Sequence, residues 1–155
     1  SRLFQRIREE KGMAYSVYTY PSSYSDCGLL AVYAGTSREN APEVLELIRQ
    51  EARLLVEKGL TPKEFAEARE QLKGGYILGL ESTASRMNAL GRRLLLLNST
   101  QTETEVIDKI NAITYEQVQD VTRKVLASAT SASFVGKGAK DVPMDGASMG
   151  GAAAE

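Results

Sequence analysis

Arg8 and Tyr15 are the residues of this 155-residue chain whose types and spacing best suit chemistry at a carbonyl group. They stand seven positions apart and flank Gly12. An arginine supplies fixed charge and several donors in a planar fork. A tyrosine hydroxyl supplies one donor on a rigid arm. A turn at Gly12 brings both side chains toward the same edge of a sheet. Such a pair suits holding a peptide carbonyl, or the oxyanion it becomes. On spacing alone the structural explanation is the stronger. An arginine near a helix C-terminus complements the helix dipole, and a tyrosine in a strand is ordinary.

Other constellations read as structure. Glu9 and Glu10 are adjacent, so on a helix they point about 100° apart and cannot work as an acid–base pair. Glu64, Glu67 and Glu70 are interleaved with Lys63 and Arg69, the pattern of a wet helix face with intrahelical pairs. Gly35-Thr36-Ser37-Arg38 precedes a helix but lacks the glycine spacing and the lysine of a phosphate loop, so it reads as loop and cap. Gly74, Gly75 and Gly79 lie inside a helical pattern, which excludes a dinucleotide fingerprint; they can let a neighbouring backbone come close. Arg92 and Arg93 read as surface.

Composition narrows the chemistry further. The chain has no histidine and one cysteine, Cys27. Structural zinc sites, and catalytic ones of the usual kind, draw on His and Cys, so none is expected here. Ser-His-Asp and Cys-His machinery is excluded for the same reason, and so is an internal disulfide. The net charge is −1, which offers no field for nucleic acid or an anionic membrane. The apolar runs Leu29–Ala34 and Leu94–Leu97 are too short to cross a bilayer. A 43% hydrophobic content is that of an ordinary globular domain.

The elements that must position Arg8 and Tyr15 follow from periodicity. Residues 1–11 read as a helix, with Leu3, Phe4 and Ile7 inward and Gly12 at its C-terminal stop. Residues 13–20 and 28–35 read as an antiparallel hairpin with Pro21–Asp26 as its loop. The second strand is apolar almost throughout and is expected to be covered on both faces, with Cys27 buried at its start. Helices are expected at about 40–58, 62–80, 83–97 and 115–127, with a short one after Thr102. Their start signals are Asn40 with Glu43, Thr61-Pro62 with Glu64, Ser82, Thr102 with Glu105, and Thr114 with Gln117. Gly59 ends the first of them. Residues 131–136 read as a last strand of the same sheet. The fold class is α+β, a mainly antiparallel sheet with helices packed on one face. Residues 1–138 form the domain, and the Gly- and Ala-rich segment 139–155 is expected to be a disordered tail. The absent initiator Met and the abrupt helix at Ser1 give the expectation of a piece of a longer protein.

The opening segment, Ser1-Arg2-Leu3-Phe4-Gln5-Arg6-Ile7-Arg8-Glu9-Glu10-Lys11-Gly12-Met13-Ala14-Tyr15-Ser16-Val17, strongly resembles the second domain of pitrilysin/insulinase-type zinc metallopeptidases. The mitochondrial processing peptidase and its bacterial relatives belong to that group. The resemblance continues through Tyr33-Ala34-Gly35-Thr36, Leu72-Lys73-Gly74, Leu80–Met87, Ile113-Thr114 with Val118, and the final strand, and so covers residues 1–138. It implies a division of labour. Zinc is held by an inverted His-x-x-Glu-His motif on a preceding homologous domain or subunit. A domain like this one closes the cleft from the other side. Its Arg and Tyr, matched here by Arg8 and Tyr15, contact the substrate backbone near the metal. It also implies that a strand and most of a helix normally precede Ser1, which makes this a truncated second domain.

The expectation is therefore the non-zinc domain of a metalloendopeptidase, inactive alone, with zinc in the parent protein and no metal ligand on this chain. Its expected partners are a peptide substrate, the zinc-binding domain or subunit, and a second copy paired through an exposed sheet edge. A catalytically inactive scaffold or recognition subunit of the same family is the alternative, and the presence of both Arg8 and Tyr15 favours the peptidase. An unrelated α+β interaction domain is the third possibility. The low cysteine count and the lack of a targeting segment point to a cytoplasmic, bacterial parent.

Overall fold

The computed structural model describes residues 1–128, 130–142 and 148–149. The chain divides into two compact units, 1–58 with 122–155, and 59–121.

The first unit begins with a wide, π-type helix at Phe4–Glu10. Gly12 follows at φ +62°, a backbone state that favours glycine. Strands β1 (Ala14–Ser23) and β2 (Gly28–Thr36) then form an antiparallel hairpin. Helix α1 runs over Ala41–Lys58. Ile7, Ala14, Val17, Val44 and Leu47 make one buried cluster, flanked by Leu3, Phe4, Met13, Ala34 and Ile48. The two helices thus cover one face of the hairpin. The opposite face carries Tyr18 stacked on its cross-strand partner Tyr33, ring centroids 5.0 Å apart, with Tyr20 beside them.

The second unit is helical: α2 (Pro62–Gly79), α3 (Thr83–Leu97), α4 (Glu103–Ala112) and most of α5 (Tyr115–Leu126). Each start signal in this unit is realised. Thr61 and Glu64 form a reciprocal capping box, as do Thr102 and Glu105. Ser82 caps α3. The Thr114 amide donates to Gln117 Oε1 at 3.0 Å and the Gln117 amide donates back to Thr114 Oγ1 at 3.3 Å. The Tyr115 hydroxyl donates to the Leu60 carbonyl at 2.6 Å and its ring meets Phe65 edge-on. Gly59 sits at φ +73°, a backbone state that strains any other residue, and a Cβ there would fall 1.6 Å from Gln119 Nε2, so that side chain would have to move.

The α+β class and all the helices read from the sequence stand; α1 to α5 keep their boundaries within a residue or two, while the first helix, read over 1–11, is Phe4–Glu10. Five finer expectations do not. Residues 131–136 do not join the hairpin sheet. Ser131–Ala132 alone are extended (β3), and they pair in parallel with Ser148–Met149 (β4). Gly136 and Gly138, both at positive φ, turn the chain just beyond. Second, the hairpin loop is shorter than read. β1 continues through Pro21 to Ser23, because proline is tolerated where no ladder donor is needed. The tip is Tyr24–Cys27, closed by the Tyr24 amide on the Cys27 carbonyl at 2.8 Å. Third, Cys27 is therefore exposed on that tip, not buried. Fourth, β2 is not covered on both faces. Among the described residues its outer edge has no strand partner, and Leu29, Leu30, Val32 and Tyr33 are exposed. Fifth, Gly74, Gly75 and Gly79 face open space, with nothing within 4 Å of an added Cβ.

The expected tail, 139–155, lies largely outside the described residues. Its described part forms a 3-10 turn at Ala139–Asp141 with Val142 buried, and Asp141 pairs with Arg38 at 2.7 Å. No helix among the described residues is long and apolar enough to cross a membrane.

Candidate functional site

The junction between the first helix and β1 is built by local rules. Arg8 lies in the last helical turn, where a cation complements the C-terminal dipole. The Gly12 amide donates to the Arg8 carbonyl at 3.1 Å and the Met13 amide donates to the Ile7 carbonyl at 2.9 Å. Those two bonds close the helix and launch the strand. Ile7, fully buried, pins the helix from beneath.

Salt links fix the same helix to α1. Arg6 donates to Glu51 and, at 3.1 Å, to Gln50 Oε1. Glu51 is only 7% exposed, and the paired guanidinium is what makes a carboxylate tolerable there. Lys11 pairs with Glu43 at 2.7 Å. Glu43 thus spends its carboxylate on the junction.

Tyr15 enters the hairpin at an irregularity. Ala14 pairs with Thr36 and Ser16 pairs with Gly35, so β1 advances two residues while β2 advances one. Tyr15 is the extra residue of a β-bulge, a device that re-aims a side chain and that recurs next to active sites. Tyr15 is 81% exposed. The π-type turn that carries Arg8 is also a form frequent at functional sites. Arg8 is exposed, and its guanidinium carbon lies 4.9 Å from the centre of the Phe4 ring. Both side chains thus stand at one junction, open to solvent, with donors directed at no acceptor among the described residues.

Gly35 and Thr36, read from the sequence as loop and cap, are the last two residues of β2 and hold this pair. Thr36 donates its hydroxyl to the Met13 carbonyl. Gly35 faces Ser16, whose Oγ would be 3.0 Å from an added Cβ. The Gly35-Thr36 dipeptide is visible in the sequence, but its role depends on the strand register, which is not.

No three His, Cys, Asp or Glu side chains among the described residues converge on a point that could hold a metal. The donor set does not fit zinc, since the histidines that such a site draws on are absent from the sequence.

Residues 1–72 match the sequence profile of the peptidase M16 inactive domain. The chain is 43% identical over 125 residues to the uncharacterized zinc protease YmxG of Bacillus subtilis, covering 81% of this chain and 31% of that protein. It is 40% identical over 136 residues to an uncharacterized zinc protease of Streptomyces coelicolor, covering 88% of this chain and 30% of that one. A crystal structure of a conserved protein from Enterococcus faecalis V583 superposes with a TM-score of 0.65 at 28% identity, over 80% of this chain and 29% of that chain. The chain belongs to the peptidase M16 family, of pitrilysin/insulinase type, and carries that family's inactive domain. It spans about a third of the length of the zinc proteases it matches.

Proposed function

We propose that this chain is the non-zinc domain of a zinc-dependent metalloendopeptidase, and that Arg8 and Tyr15 contact the substrate backbone near a metal held by another domain. One observation carries this assignment. Two donors that suit a carbonyl oxygen stand exposed on either side of Gly12, each on a backbone irregularity, at a junction held by buried apolar contacts and salt links. A guanidinium keeps its charge at any physiological pH and offers donors in a fixed plane. A tyrosine hydroxyl adds a donor whose reach is set by the strand. Donors placed before charge develops on a carbonyl oxygen cost no reorganisation when it does. The zinc proteases among its relatives support the metal-dependent class. No residue of this chain is assigned to the metal. Peptide cleavage by the full-length protein after substitution of Tyr15, with bound zinc measured in the same sample, tests the assignment.

The second association we propose is between two copies of the chain through the outer edge of β2. From Gly28 to Thr36 the strand carries no charged residue, and charge is a common guard of a free edge.

A further inference from the structure

Tyr15 is aimed by a bulge, and a bulge must be held by something. The hydrogen bonds around it form a short relay. The Met13 amide donates to the Ile7 carbonyl at 2.9 Å, next to Arg8. The Met13 carbonyl, on the other side of the same residue, accepts from the Thr36 hydroxyl. Thr36 is the cross-strand partner of Ala14, the last regular position before the bulge, and Gly35 is the partner of Ser16, the first regular position after it. The two residues of β2 that bracket Tyr15 therefore act in different ways. Gly35 leaves space: a Cβ there would press on Ser16 Oγ at 3.0 Å, so that hydroxyl would have to give by a few tenths of an ångström where the extra residue loops out. Thr36 supplies a bond: its half-buried hydroxyl ties the strand start that follows Gly12 to the far strand.

Without that hydroxyl the hairpin still pairs from Ser16 to Ser23, and the core beneath Ala14 and Val17 remains. What changes is the Met13 carbonyl. It loses a partner in a half-buried place and gains by turning toward water. Met13 carries the chain from Arg8's helix to Tyr15's bulge, so its rotation alters the angle between the two side chains.

We infer that Thr36 is a positioning residue for the Arg8–Tyr15 site: its hydroxyl, bonded to the Met13 carbonyl, fixes the bulge that aims Tyr15. This rests on the substrate-contacting role proposed for that pair, and the test separates the two. Thr36→Val keeps the shape and removes the donor; Thr36→Ser keeps the donor. In the 155-residue chain, the Tyr15 ring resonances, assigned by their loss in Tyr15→Phe, are expected to shift in Thr36→Val and to stay near the parent values in Thr36→Ser. Unmoved Tyr15 resonances in a folded Thr36→Val would overturn the inference, whatever the activity.

In the full-length protein, Thr36→Val is expected to lower kcat for peptide cleavage by roughly ten- to a hundredfold, the scale of a misplaced contact group, with KM changed less. Thr36→Ser should recover most of that loss. Adding Thr36→Val to Tyr15→Phe should cost little more than Tyr15→Phe alone, because both act through one hydroxyl. Losses that simply multiply, with no rescue by serine, would make Thr36 a structural residue only. If Tyr15→Phe leaves cleavage unchanged while Thr36→Val moves the Tyr15 resonances, the substrate-contacting role fails and the positioning stands.

Discussion

Ile7 and Arg8 are neighbours with opposite environments, and the junction depends on both. Ile7 is fully buried among Ala14, Val17, Val44 and Leu47, while Arg8 stands in solvent. Ile7→Ala would leave a cavity where the helix, the hairpin and α1 meet. Its expected cost is roughly 2–5 kcal/mol, read as a shift in denaturant midpoint of the 155-residue chain; a change below about 1 kcal/mol would mean the cluster is not the core. At this scale the candidates are legible because residue type is chemistry. An Arg and a Tyr around a glycine announce donors near a turn. Their aim is not legible. The bulge at Tyr15 exists only as a mismatch between two strands, and Thr36 serves Met13 across 23 positions of sequence. Cys27 shows the same limit: a residue at the start of an apolar run looks buried until the tip of the hairpin is located.

The helices are legible because their signals are local. Each capping residue and its partner lie three positions apart, so Thr61, Ser82, Thr102 and Thr114 mark starts that tertiary packing does not have to supply. One of these caps carries a pH dependence. The Thr102 amide and hydroxyl donate to the Glu105 carboxylate, holding its pKa below the usual glutamate value. A depressed folded-state pKa contributes stability that is present above the unfolded value and lost as pH falls through the folded one. Protection of the amides in the first turn of α4, taken as exchange relative to the intrinsic rate at each pH, is therefore expected to fall on acidification below the ordinary glutamate range. Glu105→Gln should flatten that response, and an equal response in both proteins would contradict it. Strands are less legible because their partners are remote. Ser131–Ala132 has strand-forming neighbours, yet its pairing is with Ser148–Met149, parallel and two residues long. The apolar β2 reads as a central strand by composition, while among the described residues it is an edge.

For the whole molecule, that edge and the Arg8–Tyr15 junction make separate predictions. If two copies pair through β2, the chain should run as a concentration-dependent dimer in sedimentation, and Val32→Lys should return it to a monomer by placing charge on the exposed strand. A parent chain that stays monomeric at high concentration would exclude this pairing. The junction bears on the proposed function more directly. The missing histidines exclude a His-based zinc site within these residues, and a domain that faces the metal from across a cleft needs none. The decisive measurement is peptide cleavage by the full-length protein carrying Tyr15→Phe, with zinc content determined on the same preparation. Loss of one donor to a developing oxyanion costs on the order of a hundredfold in rate, and a fall of that order at unchanged zinc is the expected result. Cleavage at the parent rate, with zinc intact and the variant folded, would contradict the role of Tyr15.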